Sequence, residues 1–263
     1  MNEVNKTLYI PLYGKAKISE QKIILNDPIA EKIWAAEAFP IKGKAKSKWL
    51  TYNMAMRAKV FDDWTDFMLT QRNDALVLHV GCGLDSRCLR VKTPYRKWID
   101  GDLAEVIAVR KRYFKETETY QMMCVDATDP NIVPSLPDAD SVIVVLEGIS
   151  MYLSDRQLKG FLNGLQRKYD KIDILMDVYT VFGAKASKFK NPVNDVGVRT
   201  LYGIDDMEGL LEGTSIQVKA EKTFTPDYLI DELEGFDRAF FKIMFAKKLY
   251  RKIYRLYELG TVE

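Results

Sequence analysis

Apolar residues fall into two rhythms along this chain. From about Lys48 to Thr70, Met54, Ala58, Phe61, Trp64 and Met68 recur every three or four residues, the spacing of one helix face. The first third of the chain reads as helical cover of this kind. Ala75–Val80 (ALVLHV) is then a short apolar run that ends in Gly81-Cys82-Gly83, which predicts a buried strand turning sharply. Further strands are expected at Arg96–Asp100, Tyr120–Val125, Asp140–Leu146 and Ile172–Val178, with helices at Glu105–Thr117 and Ser154–Tyr169 between them. Ser154 stands where a helix N-cap belongs. The Asp140–Leu146 run (DSVIVVL) is continuous rather than alternating, as a strand covered on both faces requires.

Strands that alternate with helices and are themselves buried predict an α/β fold with a doubly wound, mostly parallel, Rossmann-like sheet. The rhythm breaks after Val178. Residues 179–215, with Gly183, Pro192, Gly197, Gly203 and Gly209, suit a lid or substrate segment. A sixth strand is expected at Ile216–Phe224, a helix from about Asp227 to Lys247, and a last short strand near Ile253–Leu259. No linker, low-complexity run or solenoid repeat divides the sequence, so residues 1–263 are read as a single domain: helical cover over 1–72, a core over 73–178, the lid segment, and a C-terminal part of the sheet over 216–263.

Composition narrows the function classes. A net charge of +2 exerts no global pull toward nucleic acid or anionic membranes. The N-terminus lacks a signal-peptide pattern, and the longest apolar runs are too short to cross a bilayer. Cys82, Cys88 and Cys124 have no metal-ligand spacing and only one histidine, His79, to join them, so reduced cytoplasmic thiols and no metal are expected.

Candidate chemistry gathers at the first turn. In an open α/β sheet the ligand crevice lies beyond the C-terminal strand ends at the switch point, here Gly81-Cys82-Gly83-Leu84-Asp85-Ser86-Arg87. A helix beginning near Asp85 or Ser86 would offer free N–H groups to an anion. Ser86 stands where a dinucleotide fingerprint needs its third glycine, and no phosphate loop exists, so NAD, FAD and nucleotide hydrolysis are disfavoured. Asp100 and Asp102, just past the second strand, both qualify to accept ribose hydroxyls. Arg57 lies within the apolar stripe of its helix, where a guanidinium needs an anion: an internal carboxylate, or the carboxylate of an amino-acid-like cofactor. S-adenosylmethionine has both a ribose and a carboxylate.

The chain also resembles a known family. Thr7–Lys17 (TLYIPLYGKAK) is similar to that family's opening segment and Asp27-Pro28-Ile29-Ala30 to its Asp-Pro-x-Ala. Gly81–Arg87 resembles Gly-x-Gly-Leu-Asp-Thr-Arg, Asp102–Ile107 (DLAEVI) resembles Asp-Leu-Pro-Glu-Val-Ile, and Glu147–Leu153 (EGISMYL) resembles Glu-Gly-x-x-Met-Tyr-Leu. These are motifs of the leucine carboxyl methyltransferase-like enzymes, class I S-adenosylmethionine-dependent methyltransferases that include polyketide-pathway O-methyltransferases. The resemblance implies S-adenosylmethionine as cofactor. It assigns Arg57 to the cofactor carboxylate, Gly81 and Gly83 to its methionine portion with Asp85 beside them, Asp102 with Leu103 to the ribose, and Asp126 and Ala127 to the adenine. Glu147 would lie by the amino group and sulfonium. Lys15 stands where the family often has arginine, and Ala104 replaces the usual proline.

Methyl transfer to a neutral hydroxyl needs a proton removed, most often by histidine. His79 is expected to be a packed strand residue, which points to an acceptor that is a carboxylate or an easily ionised phenol; Glu147 remains open as a base. Tyr152, Arg199 and Tyr202 are candidate acceptor-pocket residues, Tyr152 with a catalytic part. The expected partner is therefore a small-molecule acceptor, with no nucleic acid and no membrane. Two rivals stand beside it: methylation of a partner protein's C-terminal carboxylate, and a binding module using the basic cluster Lys242, Lys247, Lys248, Arg251, Lys252 and Arg255.

Overall fold

The computed structural model describes residues 7–41, 43–190, 201–246 and 248–262. Three N-terminal helices, α1 (Tyr9–Gln21), α2 (Pro28–Glu37) and α3 (Lys48–Gln71), precede the first strand, as the helical spacing of the first third predicts. The parallel strands β1 (Leu76–Val80), β2 (Lys97–Asp102), β3 (Tyr120–Cys124), β4 (Ser141–Leu146) and β5 (Lys171–Tyr179) follow. Between them lie α4 (Arg87–Arg90), α5 (Ala104–Arg110) and α6 (Asp155–Lys168). After β5 come α7 (Val181–Lys190), α8 (Met207–Leu211), β6 (Ile216–Lys222), α9 (Asp227–Ile230), α10 (Gly235–Phe245), α11 (Lys248–Arg251) and β7 (Tyr254–Thr261).

The sheet order is β3-β2-β1-β4-β5-β7-β6, with β7 antiparallel to both β5 and β6. The chain reverses direction beside β1, so β1 and β4 flank the switch point. Both faces are covered, which is why the strands read as continuous apolar runs. On one face Val77, Trp98, Ile143, Val145 and Leu175 pack with Phe61, Trp64 and Met68 of α3. On the other, Leu76, Leu78, Val142, Val144 and Ile174 pack with Leu158, Phe161 and Leu165 of α6. Helix α6 starts at Ser154, whose hydroxyl and the Gln157 side chain cap each other's backbone N–H groups.

Three expectations need correction. The helix foreseen over Glu105–Thr117 ends at Arg110 and gives way to a tight turn, in which the Tyr113 and Phe114 N–H groups both donate to the Arg110 carbonyl at 2.9 and 3.0 Å. The helix foreseen from Asp227 to Lys247 is broken after α9, where Gly235 takes φ +47°. The helix foreseen at Asp85 or Ser86 is only the four-residue α4, and the Arg87 N–H is taken by Asp85 Oδ1 at 2.7 Å, so this turn offers no open anion site of the kind foreseen. Among the described residues no helix is long and apolar enough to cross a membrane.

Candidate active site

A cavity of about 490 Å³ opens beyond the C-terminal ends of β1, β2 and β4, beneath α1 and α3. That volume lies within the roughly 300–1,000 Å³ range of small-molecule and cofactor sites. Its floor is the turn after β1. Gly81 and Gly83 take φ +72° and +52°, conformations that favour glycine, and a Cβ on Gly81 would meet Ile149 Cδ1 at 2.9 Å. The Gly81 N–H donates to Gly101 O at 2.8 Å, and that bond fixes the turn against the end of β2.

The structure separates the two acids of β2. Asp100 is fully buried and paired with Arg110, and accepts hydrogen bonds from Trp98 Nε1 and the Tyr120 hydroxyl, each at 2.8 Å. Asp102 instead lines the cavity, accepting from Gly83 N–H and Leu103 N–H at 2.7 Å each. Burial pushes its carboxyl above the usual carboxylate value, although both backbone donors pull the other way. Each carboxylate oxygen has about two lone-pair sites, so capacity remains to accept vicinal hydroxyls. Leu103, Asp126 and Ala127 also line this end of the cavity. Asp126 Oδ1 caps the following turn through Thr128 N–H at 2.8 Å.

Toward the other end the wall is a network of buried charges. Arg57 Nε donates to Glu147 Oε1 at 2.9 Å, and its Nη1 reaches Tyr254 Oη at 3.0 Å and Asp177 Oδ2 at 3.3 Å. Both sequence alternatives for Arg57 therefore stay in play: it is internally paired, yet its Nη2 has no hydrogen bond among the described residues and faces Gly148 on the cavity wall. Arg87, fully buried, bridges Glu147 and Asp62 and lies 3.1 Å from His79 Nε2. Lys15 pairs with Asp85, which also receives Arg90 Nη2 at 2.9 Å. Burial alone would raise Glu147, but Arg57 and Arg87 outweigh it and hold the carboxyl down at about 2. Glu147 is thus permanently ionised near neutral pH and a poor proton acceptor.

His79 is a packed strand residue, as expected, 1% exposed and 3.2 Å from Asp100 Oδ1. Its Nδ1 nevertheless lacks a well-formed hydrogen bond. The remaining wall is apolar and aromatic: Leu50, Met54, Tyr152, Tyr179, Tyr250 and Tyr254. Burial pushes the Tyr152 hydroxyl up to about 12, so it stays protonated and can position a ligand but not take its proton. Tyr202 does not line the cavity; it is 40% exposed, and only its backbone N–H reaches the site region, donating to Met151 O at 2.8 Å. Arg199 lies outside the described residues.

Sequence reasoning missed Arg87, Asp177 and Tyr254. Asp177 had a readable signal, an acid interrupting the apolar run Ile174-Leu175-Met176-Asp177-Val178. Tyr254 had none, because its place at the site depends on β7 inserting beside β5. Among the described residues no group of three or more His, Cys, Asp or Glu side chains could hold a metal.

This fold and site define a class, the S-adenosylmethionine-dependent methyltransferases. Magnesium protoporphyrin IX methyltransferase from Synechocystis, solved with bound S-adenosylhomocysteine, shares the fold with TM-score 0.53 at 10% identity, covering 87% of this chain and 92% of that one. A Clostridium acetobutylicum S-adenosylmethionine-dependent methyltransferase aligns with TM-score 0.51 at 12% identity, over 78% and 92% of the two chains. The sequence pattern of leucine carboxyl methyltransferases matches residues 13–166, and the chain belongs to that family. It is 27% identical over 212 residues to the tetracenomycin polyketide synthesis O-methyltransferase TcmP of Streptomyces glaucescens, covering 79% of this chain and 77% of that protein. It is 25% identical over 231 residues to the S-adenosyl-L-methionine-dependent methyltransferase dpfgK of Gibberella zeae, covering 76% and 75%.

Proposed function

We propose that the whole 1–263 chain works as one domain in the cytoplasm, transferring a methyl group to an oxygen of a small molecule: a carboxylate or a phenolic hydroxyl, polyketide-type acceptors included. The observation that carries this reading is the division of the cavity. One end offers Asp102 and bare glycine backbone, the middle offers Arg57 and Glu147, and the rest is an apolar, tyrosine-lined chamber. The likeness to TcmP, a polyketide O-methyltransferase by name, supports oxygen as the nucleophile. Free thiols at Cys82, Cys88 and Cys124 accord with a reducing compartment.

The residues present fit S-adenosylmethionine. Asp102 would hold the ribose hydroxyls, Asp126 and Ala127 would border the adenine, and Gly81 and Gly83 would let the methionine portion lie against the backbone. Arg57 Nη2 and Lys15 would meet the cofactor carboxylate, with Asp85 orienting Lys15, and Glu147 would receive the amino group. When bound, this cofactor supplies an already activated methyl on a sulfonium. The protein's own work is alignment and exclusion of water. Tyr152 and the apolar wall would hold the acceptor oxygen in line. An ionised carboxylate needs no base at this site.

The test is incubation with methyl-labelled S-adenosylmethionine and a panel of naphthoic acids and naphthols, in parallel with a cell lysate. Label in the organic extract is expected. Label confined to a protein band would replace the small-molecule reading with methylation of a protein.

A further inference from the structure

Asp177, near the end of β5, plays no part in cofactor or carboxylate handling as described, yet both of its carboxylate oxygens are held by hydrogen bonds behind the cavity wall. Its Oδ1 accepts from Gly148 N–H at 2.7 Å, and its Oδ2 accepts from the Tyr254 hydroxyl and from Arg57 Nη1. Tyr254 lines the cavity, and its ring is held between Phe224 (4.7 Å, 11° between planes) and Tyr179 (4.7 Å). A phenolic oxygen has one proton to give and two lone pairs. Tyr254 gives its proton to Asp177 and accepts one from Arg57 Nη1 at 3.0 Å, which leaves one lone pair. On the wall of the chamber that lone pair suits a group that carries a proton, not a carboxylate.

We propose that Tyr254 and Asp177 form a proton relay that equips this site to methylate a neutral phenolic or enolic hydroxyl. The inference rests on the oxygen-methyl-transfer reading above. As the acceptor oxygen bonds to the methyl carbon, the carbon–sulfur bond breaks and its electron pair passes to sulfur. The acceptor's proton passes to Tyr254 Oη while the proton of Tyr254 passes to Asp177 Oδ2. The sum is a methyl ether, a thioether and a neutral Asp177 carboxyl, which then releases its proton to water.

The surroundings suit these two roles. Burial, and then the nearby Asp177, push the Tyr254 hydroxyl well above its ordinary value, so Tyr254 passes a proton on without resting as a phenolate. Burial pushes Asp177 up to about 6; Arg57 and Tyr254 pull it down and Glu147 pushes it further up. The groups facing it are Arg57 from α3, Glu147 after β4, Tyr254 from β7, and Tyr152, Tyr179 and Tyr250 around the chamber. Arg57 stays cationic and Glu147 stays ionised across neutral pH, so Asp177 is the member of this set that changes charge there. Asp177 can therefore take up a proton at mildly acidic to neutral pH, as a useful proton acceptor requires.

The probe is 3-hydroxy-2-naphthoate, which offers both oxygens on one scaffold: the ester product is saponified by alkali and the ether is not. The wild type is expected to form ether, and Tyr254→Phe to lower the ether-to-ester ratio by at least about 100-fold, the lower bound for general base catalysis. Ether formation should rise with pH through about 6 and lose that dependence in Asp177→Asn. Independently of turnover, infrared titration of the cofactor-free protein should show a carboxylic acid band disappearing near pH 6 that Asp177→Asn lacks. An unchanged product ratio in Tyr254→Phe, or no such band, overturns the relay. Ester alone from the wild type also overturns it and leaves oxygen methylation standing, whereas neither product from the cofactor-bound enzyme overturns both.

Discussion

The two sides of the cavity are built on opposite principles. The side formed by Lys15, Asp85 and Glu147, backed by buried Arg87, is ionic, with every one of these charges matched by a buried partner. The side formed by Leu50, Met54, Tyr152, Tyr179 and Tyr250 is neutral and holds its shape through ring packing. Buried ion pairs contribute little net stability, because desolvation offsets the attraction, but removing one partner strands the other at high cost. The ionic side is therefore specified rigidly, as a constant cofactor demands. An apolar wall tolerates changes of size and shape at lower cost, so acceptor preference can shift without disturbing the cofactor end. Arg57 and Asp177 are where the two sides meet.

The largest expected effect comes from breaking the ionic side. Arg87→Ala takes one of two guanidinium partners from each of Glu147 and Asp62, which keep only Arg57 and Arg90, and should cost about 3 kcal/mol of stability, read by chemical denaturation. A loss below about 1 kcal/mol would mean the network is not the scaffold described. Acid should attack the same side. Glu147 is held at about 2, below the ordinary 4.5, so its contribution is present above pH 4.5 and lost as pH falls through about 2. Melting temperature should drop steeply over that window, and Glu147→Gln should flatten the drop. The smallest effect belongs to the neutral side. Tyr152→Phe removes one neutral hydroxyl, worth roughly 0.5–1.5 kcal/mol, and should lower kcat/KM for the acceptor by up to about tenfold without changing cofactor affinity. A matching loss of cofactor affinity would blur the division between the two sides.

Legibility in the sequence followed the same division. The parallel core could be read because strands buried on both faces leave continuous apolar runs, as Ser141–Leu146 does. The cofactor end could be read because its residues lie in short contiguous strings at strand ends: Gly81 to Arg87, Asp102 with Leu103, Glu147 with Gly148. Even there, choosing Asp102 over Asp100 needed the family resemblance, and its physical reason, the capture of Asp100 by Arg110, is a contact between β2 and α5 that no local pattern announces. The acceptor side was mostly illegible. Tyr250 and Tyr254 come from the C-terminal end of the chain and reach the cavity only because β7 inserts between β5 and β6. The basic C-terminal residues do not share one helix face: Lys242 on α10 pairs with Asp227, Arg251 on α11 pairs with Glu221, and Arg255 lies on β7.

The central claim is that the cofactor lies between Asp102 and Arg57, and calorimetric titration of S-adenosylhomocysteine tests it most directly. The account predicts one site per chain, no binding of NAD, and at least about 100-fold weaker binding in Asp102→Ala, whose lost contacts are charge-assisted hydrogen bonds worth roughly 1.5–3 kcal/mol each. Asp102→Ala that folds normally and binds as tightly as the wild type would contradict it.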